Sequence, residues 1–138
     1  MQTNGETAQW SGPHVSDSVD RIASDFFAAI ERGDLEAVRD LYSPRIEVWH
    51  NVTQRTQTRE KNLELLQFFI GRVAELQYEV LARDFFPGGF VQRHILHGKL
   101  PSGALIDAPV CLVAYVSAGR IERLFEYLDP AAVRAAFA

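Results

Sequence analysis

The chain has 138 residues, 47% of them hydrophobic and 23% charged, which is ordinary for a globular protein and suits one domain. A formal net charge of −4 without a basic cluster argues against nucleic acid as a partner. The single cysteine excludes an intrachain disulfide framework, and no apolar run reaches about 18 residues, so we expect no membrane span.

In chain order, we expect residues 1–15 to form a flexible N-terminal arm and residues 16–138 to form a single domain. The N-terminal stretch has neither the basic region nor the apolar run of a signal peptide. One cysteine is compatible with a reducing compartment. We therefore predict a cytoplasmic protein.

Three helices are predicted ahead of the long strands. The first covers residues 17–32, where apolar side chains recur at the helical period. Asp34 is expected to cap a second, short helix that ends near Leu41, and the third helix covers residues 60–72. The polar segment TQRTQTRE, which precedes and enters the third helix, is interpreted as a loop.

The rest of the chain reads as strands. The first strand covers residues 46–52, and four more strands form an antiparallel meander over residues 76–86, 90–100, 104–116 and 120–128. Pro109 predicts an irregularity in the fourth strand, because proline cannot donate to a ladder. A short helix over residues 130–137 ends the chain. Helices followed by strands indicate an α+β fold, a cone of helices on one face of a strongly curved mixed or antiparallel sheet.

The last strand carries the first indication of a site. Glu122, Leu124, Glu126 and Leu128 share one of its faces, so Glu126 is a carboxylate among apolar neighbours. A buried carboxylate is costly unless it is paired. We expect another part of the chain to supply the partner.

Three segments, ERGDLEAVRDLYSPRIEVWHN, LPSG and GRIERLFEYLD, together with the order of elements, resemble the nuclear transport factor 2-like superfamily. That superfamily includes ketosteroid isomerase, SnoaL-like polyketide cyclases, scytalone dehydratase and limonene epoxide hydrolase. The resemblance extends over about residues 19–129. It implies a cystatin-like α+β cone with a pocket for a small hydrophobic molecule.

The resemblance to ketosteroid isomerase implies particular site residues. The general base of that enzyme falls on His50, its oxyanion-hole tyrosine on Phe26 and its protonated aspartate on Cys111. A group that can act as a base is thus retained, whereas both oxyanion donors are replaced. His50 shares a strand face with Ile46 and Val48.

The resemblance to limonene epoxide hydrolase implies a second set. The arginine of its triad falls on Arg93, one aspartate on Glu126 and the other on Ile95. The water-holding tyrosine and asparagine resemble Trp49 and Asn51. This correspondence predicts that Arg93, Ile95 and His97 face the pocket, whereas Gln92, His94 and Leu96 face outward.

From these residues we predict a catalytic set of His50, Arg93, His97 and Glu126, with Arg93 either paired with Glu126 or stabilising an oxyanion. A purely structural role stays open for each of these residues. Arg93 and Glu126, for example, could form an ion pair that only stabilises the fold. The ligand is expected to touch further residues: Phe26, Trp49, Asn51, Ile95, Asp107 and Cys111. No cofactor is expected. No metal is expected either, because His94 and His97 point to opposite faces of a strand and cannot share a metal ion without a bulge.

Two functions follow from the sequence. The first is a cofactor-free acid–base enzyme of isomerase, dehydratase, cyclase or hydrolase type, acting on a small hydrophobic molecule that bears a carbonyl or hydroxyl group. The second is a non-catalytic small-molecule-binding or assembly domain. We also predict a homodimer through the outer face of the sheet, to which Leu96, Leu112, Ala114, Phe125 and Tyr127 are assigned.

Overall fold

The structure, a computed structural model, describes the backbone of residues 13–137 and the side chains from Asp17 onward. The proposed flexible arm lies outside the described residues up to position 12, and residues 13–15 belong to the first helix. The elements in chain order are α1 (Pro13–Glu31), α2 (Leu35–Leu41), β1 (Tyr42–His50), β2 (Arg55–Gln57), α3 (Arg59–Arg72), β3 (Ala74–Phe86), β4 (Gly89–Lys99), β5 (Leu105–Ser117), β6 (Arg120–Leu128), α4 (Pro130–Val133) and a 3₁₀ turn (Arg134–Phe137).

The helices begin and end where local chemistry directs them. α1 starts at Pro13, four residues before the predicted start, because proline is well tolerated in a first helical turn, where its missing amide is not needed. Gly33, at a φ of 75°, ends it. The Asp34 side chain caps α2 by accepting from the Ala37 amide at 3.1 Å, and Thr58 caps α3.

The six strands form one curved, unclosed sheet with the order β2-β1-β6-β5-β4-β3. Four neighbouring pairs are antiparallel, whereas β1 and β6 are parallel. The predicted α+β fold is confirmed. The short strand β2 was missed because it lies at the edge and is mostly exposed, so its polar residues carry no hydrophobic alternation.

The core lies between the helices and the inner face of the sheet. The apolar stripe of α1 packs there against α2, α3 and the inner face of the sheet, and its buried members are Val19, Ala23, Phe26, Phe27, Ala29 and Ile30. A second apolar cluster joins α3 to the C-terminal α4 and the 3₁₀ turn. One side of the sheet is therefore covered, and the other side is its outer face.

Strands β4 and β5 are turned opposite to the prediction. The buried, inner positions of β4 are Phe90, Gln92, His94 and Leu96, and those of β5 include Leu112 and Ala114. The assignment of Arg93, Ile95 and His97 to the inner face is therefore wrong, as is the assignment of Leu96, Leu112 and Ala114 to the outer face. In the polar pair at the centre of β4, Gln92 is hydrogen-bonded to Arg83 and to His94, whereas His94 Nε2 is buried without a hydrogen-bond partner among the described residues.

Pro109 does not disturb its strand. The pairing of β4 with β5 continues through Ile95 and Pro109, and the pairing of β5 with β6 begins only at Val110. On that side Pro109 has no ladder hydrogen bond to lose, which is the setting in which a strand tolerates proline.

Candidate functional site

A cavity of about 450 Å³ opens between α3, the inner face of the sheet and the C-terminal turn. Its apolar walls include Leu65, Leu66, Phe69, Leu96, Val133 and Phe137. An inner chamber of about 40 Å³ continues from it toward α1 and Phe26. Residues that border both spaces are His50, Asn62, Leu66, Tyr78 and Glu126. Most of the polar groups thus converge where the cavity meets the chamber, an arrangement typical of small-molecule sites.

His50 and Glu126 form an acid–base pair at this junction. They are register partners across the parallel β1–β6 pair, and His50 Nε2 lies 3.1 Å from Glu126 Oε1. Their side chains are only 15% and 21% exposed. The carboxylate in the last strand therefore has a histidine as its partner.

The end of β1 is fixed by a side chain that extends the ladder. Asn51 Nδ2 donates to the Leu128 carbonyl at 3.0 Å, and the Leu128 amide donates to Asn51 Oδ1 at 3.0 Å. The Asn51 amide N–H also donates to the Glu126 carbonyl at 3.1 Å. Asn51 thereby holds the strand ends that carry His50 and Glu126 in register, and its side-chain amide is engaged with the backbone rather than with the cavity.

A second polar group lies beside the pair. The buried Tyr42 hydroxyl donates to Asn62 Oδ1 at 2.6 Å, and Asn62 Nδ2 donates to Gln57 Oε1 at 3.0 Å. Burial raises the pKa of Tyr42, and the charge of Glu126 raises it further. Tyr42 is therefore a neutral phenol that is committed to holding Asn62 at the cavity wall.

Tyr78 is a candidate functional residue that the sequence did not reveal. It borders both the cavity and the chamber, and within residues 13–137 its hydroxyl has no hydrogen-bond partner. Its ring packs against Phe27 and His94, at centroid distances of 4.8 and 5.1 Å. Burial raises the pKa of Tyr78 well above its ordinary value, and Glu126 raises it further. A neutral hydroxyl donor is thus available to a ligand.

A buried chain of hydrogen bonds holds His94 behind Tyr78. Arg83 Nε donates to Gln92 Oε1 at 2.7 Å, so the Gln92 amide nitrogen must be the donor to His94 Nδ1 at 2.9 Å. Arg83 is anchored on α1 by Asp20 at 2.7 Å and by Ser24. Burial lowers the pKa of His94 to about 4. His94 is therefore neutral near pH 7, with its proton on Nε2, and the expectation that it faces outward is wrong.

The predicted pair of Arg93 and Glu126 is not formed. Arg93 is exposed on the outer face, where Cys111 is its register partner in β5. Ile95 is half-buried on the same face. Arg93 and Ile95 were assigned to the pocket by the resemblance to limonene epoxide hydrolase and Cys111 by that to ketosteroid isomerase, and all three lie on the outer face.

His97 and Asp107 also lie on the outer face, bonded to each other. His97 Nδ1 is 2.6 Å from Asp107 Oδ1, and His97 Nε2 is 2.8 Å from Glu79 Oε1. Hydrogen bonds to Glu79 and Asp107 raise the pKa of His97. This cluster joins three strands and does not border the cavity.

Trp49 occupies the outer face as well. Its ring packs against Tyr127 and Phe125 at centroid distances of 5.3 and 6.3 Å. Of the residues that the sequence assigned to the ligand, Phe26 alone borders the inner chamber, and it is joined there by His50 and Glu126 from the catalytic set.

Within residues 13–137, no group of three or more His, Cys, Asp or Glu side chains is placed to hold a metal ion. In the same part of the chain, no helix is both long and apolar enough to cross a membrane.

A model of the SnoaL-like domain family matches residues 23–124. No curated protein matches the chain. Among solved structures, IdmH of Streptomyces antibioticus, a proposed polyketide cyclase, is 19% identical, with a TM-score of 0.75 over 86% of this chain and 96% of that chain.

Two further structures have the same fold. A proposed SnoaL-like polyketide cyclase of Shewanella denitrificans is 13% identical, with a TM-score of 0.73 over 86% of this chain and 95% of that one. A protein of Catenulispora acidiphila with a ketosteroid isomerase-like fold, solved with trimethylamine, is also 13% identical, with a TM-score of 0.73 over 83% and 90%. At such identities the likeness concerns the fold.

Proposed function

The chain belongs to the SnoaL-like domain family, and from that premise we propose that it is an acid–base enzyme that needs no cofactor. Its substrate in this proposal is a small hydrophobic molecule that bears a carbonyl or hydroxyl group. The observation that carries the proposal is the pair of His50 and Glu126 at the inner end of an apolar cavity. A fold of this kind hosts many functions, so the residues of the site, and not the fold, determine the reaction.

In the proposed reaction, His50 is the general base. A neutral imidazole takes a proton from a carbon or hydroxyl of the substrate, and Glu126 stabilises the imidazolium that forms. The same imidazolium then returns the proton at another position of the substrate or to a leaving hydroxyl. This cycle accommodates isomerisation, cyclisation and dehydration, because each needs one group that first accepts and then donates a proton.

We assign to Tyr78 the role of stabilising the oxyanion that forms on the substrate. Proton abstraction next to a carbonyl places negative charge on the carbonyl oxygen, and a neutral hydroxyl in a poorly hydrated site stabilises that charge well. The raised pKa of Tyr78 keeps its proton on the oxygen across the neutral range. The family resemblance placed the oxyanion donor at Phe26 in α1, whereas this assignment places it at Tyr78 in β3, and both residues border the inner chamber.

The test begins with a panel of cyclic ketones, hydroxylated polycyclic compounds and epoxides. For any member that turns over, His50→Gln is expected to lower kcat by roughly 10²–10⁴-fold, because the general base is lost. His97→Gln is the matched control, since His97 lies on the outer face and should leave kcat unchanged. Equal turnover by His50→Gln and the wild type would refute the role of His50.

The alternative is a binding domain without catalysis. The buried Tyr42–Asn62 pair and the apolar walls would serve a bound molecule equally well. Panel members that bind in the cavity while none is converted, even at high protein concentration, would favour this alternative.

The homodimer belongs to the same proposal. The outer face carries an aromatic group of Trp49, Tyr115, Phe125 and Tyr127, and Arg123 lies over the Phe125 ring at 4.9 Å. Aromatic residues and arginine are the residues that dominate protein interfaces. Sedimentation that shows only monomer at micromolar protein would contradict the proposed homodimer.

The cytoplasmic location also stays a prediction.

A further inference from the structure

We propose that the cavity accepts molecules in which an apolar body ends in a carboxylate, and that Arg134 binds this carboxylate at the mouth. This inference deepens the proposed function, because it assumes that the cavity is the ligand site. It concerns binding alone, so it can be tested whether or not the reaction is found.

The charged groups of the cavity lie in two separate places. His50 and Glu126 border both the cavity and the inner chamber, whereas Arg134 borders the cavity alone. Arg134 is exposed, and within residues 13–137 it makes no ion pair or hydrogen bond that would occupy its guanidinium. A ligand that fills the cavity therefore meets the acid–base pair at its inner end and a cation at its outer end.

The turn that carries Arg134 is held firmly enough to present it. Val133 and Ala136 on either side are buried, at 7% and 0% exposure. Asp129 caps the start of α4 by accepting from the Ala131 amide at 3.0 Å. The backbone at Arg134 is thus fixed against α3, while its side chain remains at the surface of the cavity.

The local charge favours an anion. Glu126 is the one carboxylate among the cavity-lining side chains of the described chain, and His50 already lies against it. A second arginine, Arg72, reaches the same turn, with its Nη2 3.5 Å from the Ala135 carbonyl. On the described lining of the cavity, Arg134 therefore supplies a positive charge that none of the lining carboxylates neutralises.

The chemistry of the two ends selects a class of ligand. A guanidinium matches a carboxylate through two parallel N–H···O bonds, which a neutral ketone or alcohol cannot reproduce. The apolar body would lie along Phe69, Val133 and Phe137. Its far end would then reach Tyr78 and the acid–base pair, so the reacting group lies at the opposite end of the molecule from the carboxylate.

The experiment compares two probes of equal shape by calorimetry, 2-naphthylacetate and 2-naphthylacetamide, on the full chain. The wild type is expected to bind the carboxylate about fivefold more tightly than the amide, a modest factor because Arg134 is exposed. In Arg134→Gln the two affinities should become equal, with the amide unaffected, and Arg134→Lys should keep part of the preference. Arg120→Gln is the control, since Arg120 lies in the β5–β6 hairpin.

Three results would overturn the inference: equal binding of both probes by the wild type, a preference that survives in Arg134→Gln, or no binding of either probe at millimolar concentration. The proposed reaction fails separately. If His50→Gln leaves turnover unchanged but Arg134→Gln abolishes the preference for the carboxylate, the acid–base assignment is wrong and the binding assignment stands.

Discussion

His94 should make the fold sensitive to acid. Its pKa is about 4 in the folded protein, against an ordinary 6.5 in an unfolded chain, because the ring is buried. At pH 7.5 and above, the side chain is almost entirely neutral in both states, so the pH has almost no effect on stability through His94. As the pH falls below 6.5, the unfolded chain binds a proton that the folded protein does not, so the free energy of unfolding decreases.

The size of the effect follows from the same two values. Each unit of pKa difference corresponds to about 1.4 kcal/mol, so the gap corresponds to roughly 3 kcal/mol once both states can titrate. At pH 4.5 most of it, about 2.5 kcal/mol, should already be lost. The charge of Glu126 raises the pKa of His94, and that of Arg83 lowers it. Both residues are unchanged in the variant that is compared with the wild type.

The assay is urea unfolding of the wild type and His94→Gln, followed by circular dichroism between pH 7.5 and 4.5. The variant should be less stable at pH 7.5, because the ring contacts of His94 with Phe27 and Tyr78 are lost, but its stability should fall about 2.5 kcal/mol less over this range. His97→Gln is the control with the opposite sign, since the raised pKa of His97 gives stability at low pH that is lost as the pH rises. Parallel curves for the wild type and His94→Gln would refute the reasoning.

Two further predictions concern packing. Arg83→Met should destabilise by about 1–3 kcal/mol, because it leaves a buried amide oxygen unpaired, whereas Arg93→Met on the outer face should change the free energy of unfolding by less than about 0.5 kcal/mol; equal melting temperatures would contradict this. Gly98→Ala should destabilise the protein by about 1–3 kcal/mol, because the new Cβ would collide with Val73 Cγ1. Adding Val73→Ala should recover part of this loss, as measured by thermal unfolding. A Gly98→Ala protein as stable as the wild type would show that the backbone around Gly98 moves apart without cost.

The parts of the site that the sequence could place are those on strands with an unambiguous apolar face. Ile46 and Val48 mark the inner face of β1, and Leu124 marks that of β6, so alternation carries His50 and Glu126 to the same side. Alternation could not predict that His50 and Glu126 contact each other, because this contact depends on the parallel pairing of two strands far apart in the sequence.

The parity of β4 was misread for a physical reason. Its central inner positions are Gln92 and His94, which look like surface residues until Arg83 is known to bond to them. The apolar ends of the strand, Phe90 and Leu96, were the signal that could have corrected it, since both lie on the buried parity. The prediction instead followed the correspondence between Arg93 and the triad arginine of limonene epoxide hydrolase.

The inward position of Tyr78 could not be predicted from the sequence, for a different reason. β3 is an edge strand whose pairing with β4 shifts register twice, between Ala74 and Gln77 and again between Val80 and Ala82. Each shift reverses which side chains face inward. Alternation read from sequence alone therefore assigns no face to Tyr78.

The parallel contact between β1 and β6 has a consequence for how the protein reaches its native state. Asn51 and Leu128, which bond to each other beside His50 and Glu126, are 77 positions apart in the chain. Contacts of such long sequence separation bear a large loop-closure entropy and slow the folding of a domain. β6 also pairs with β5, so it joins β1 to the hairpin of the last two strands. The pair of His50 and Glu126 therefore cannot form in a chain that ends before β6, because Glu126 lies in that strand.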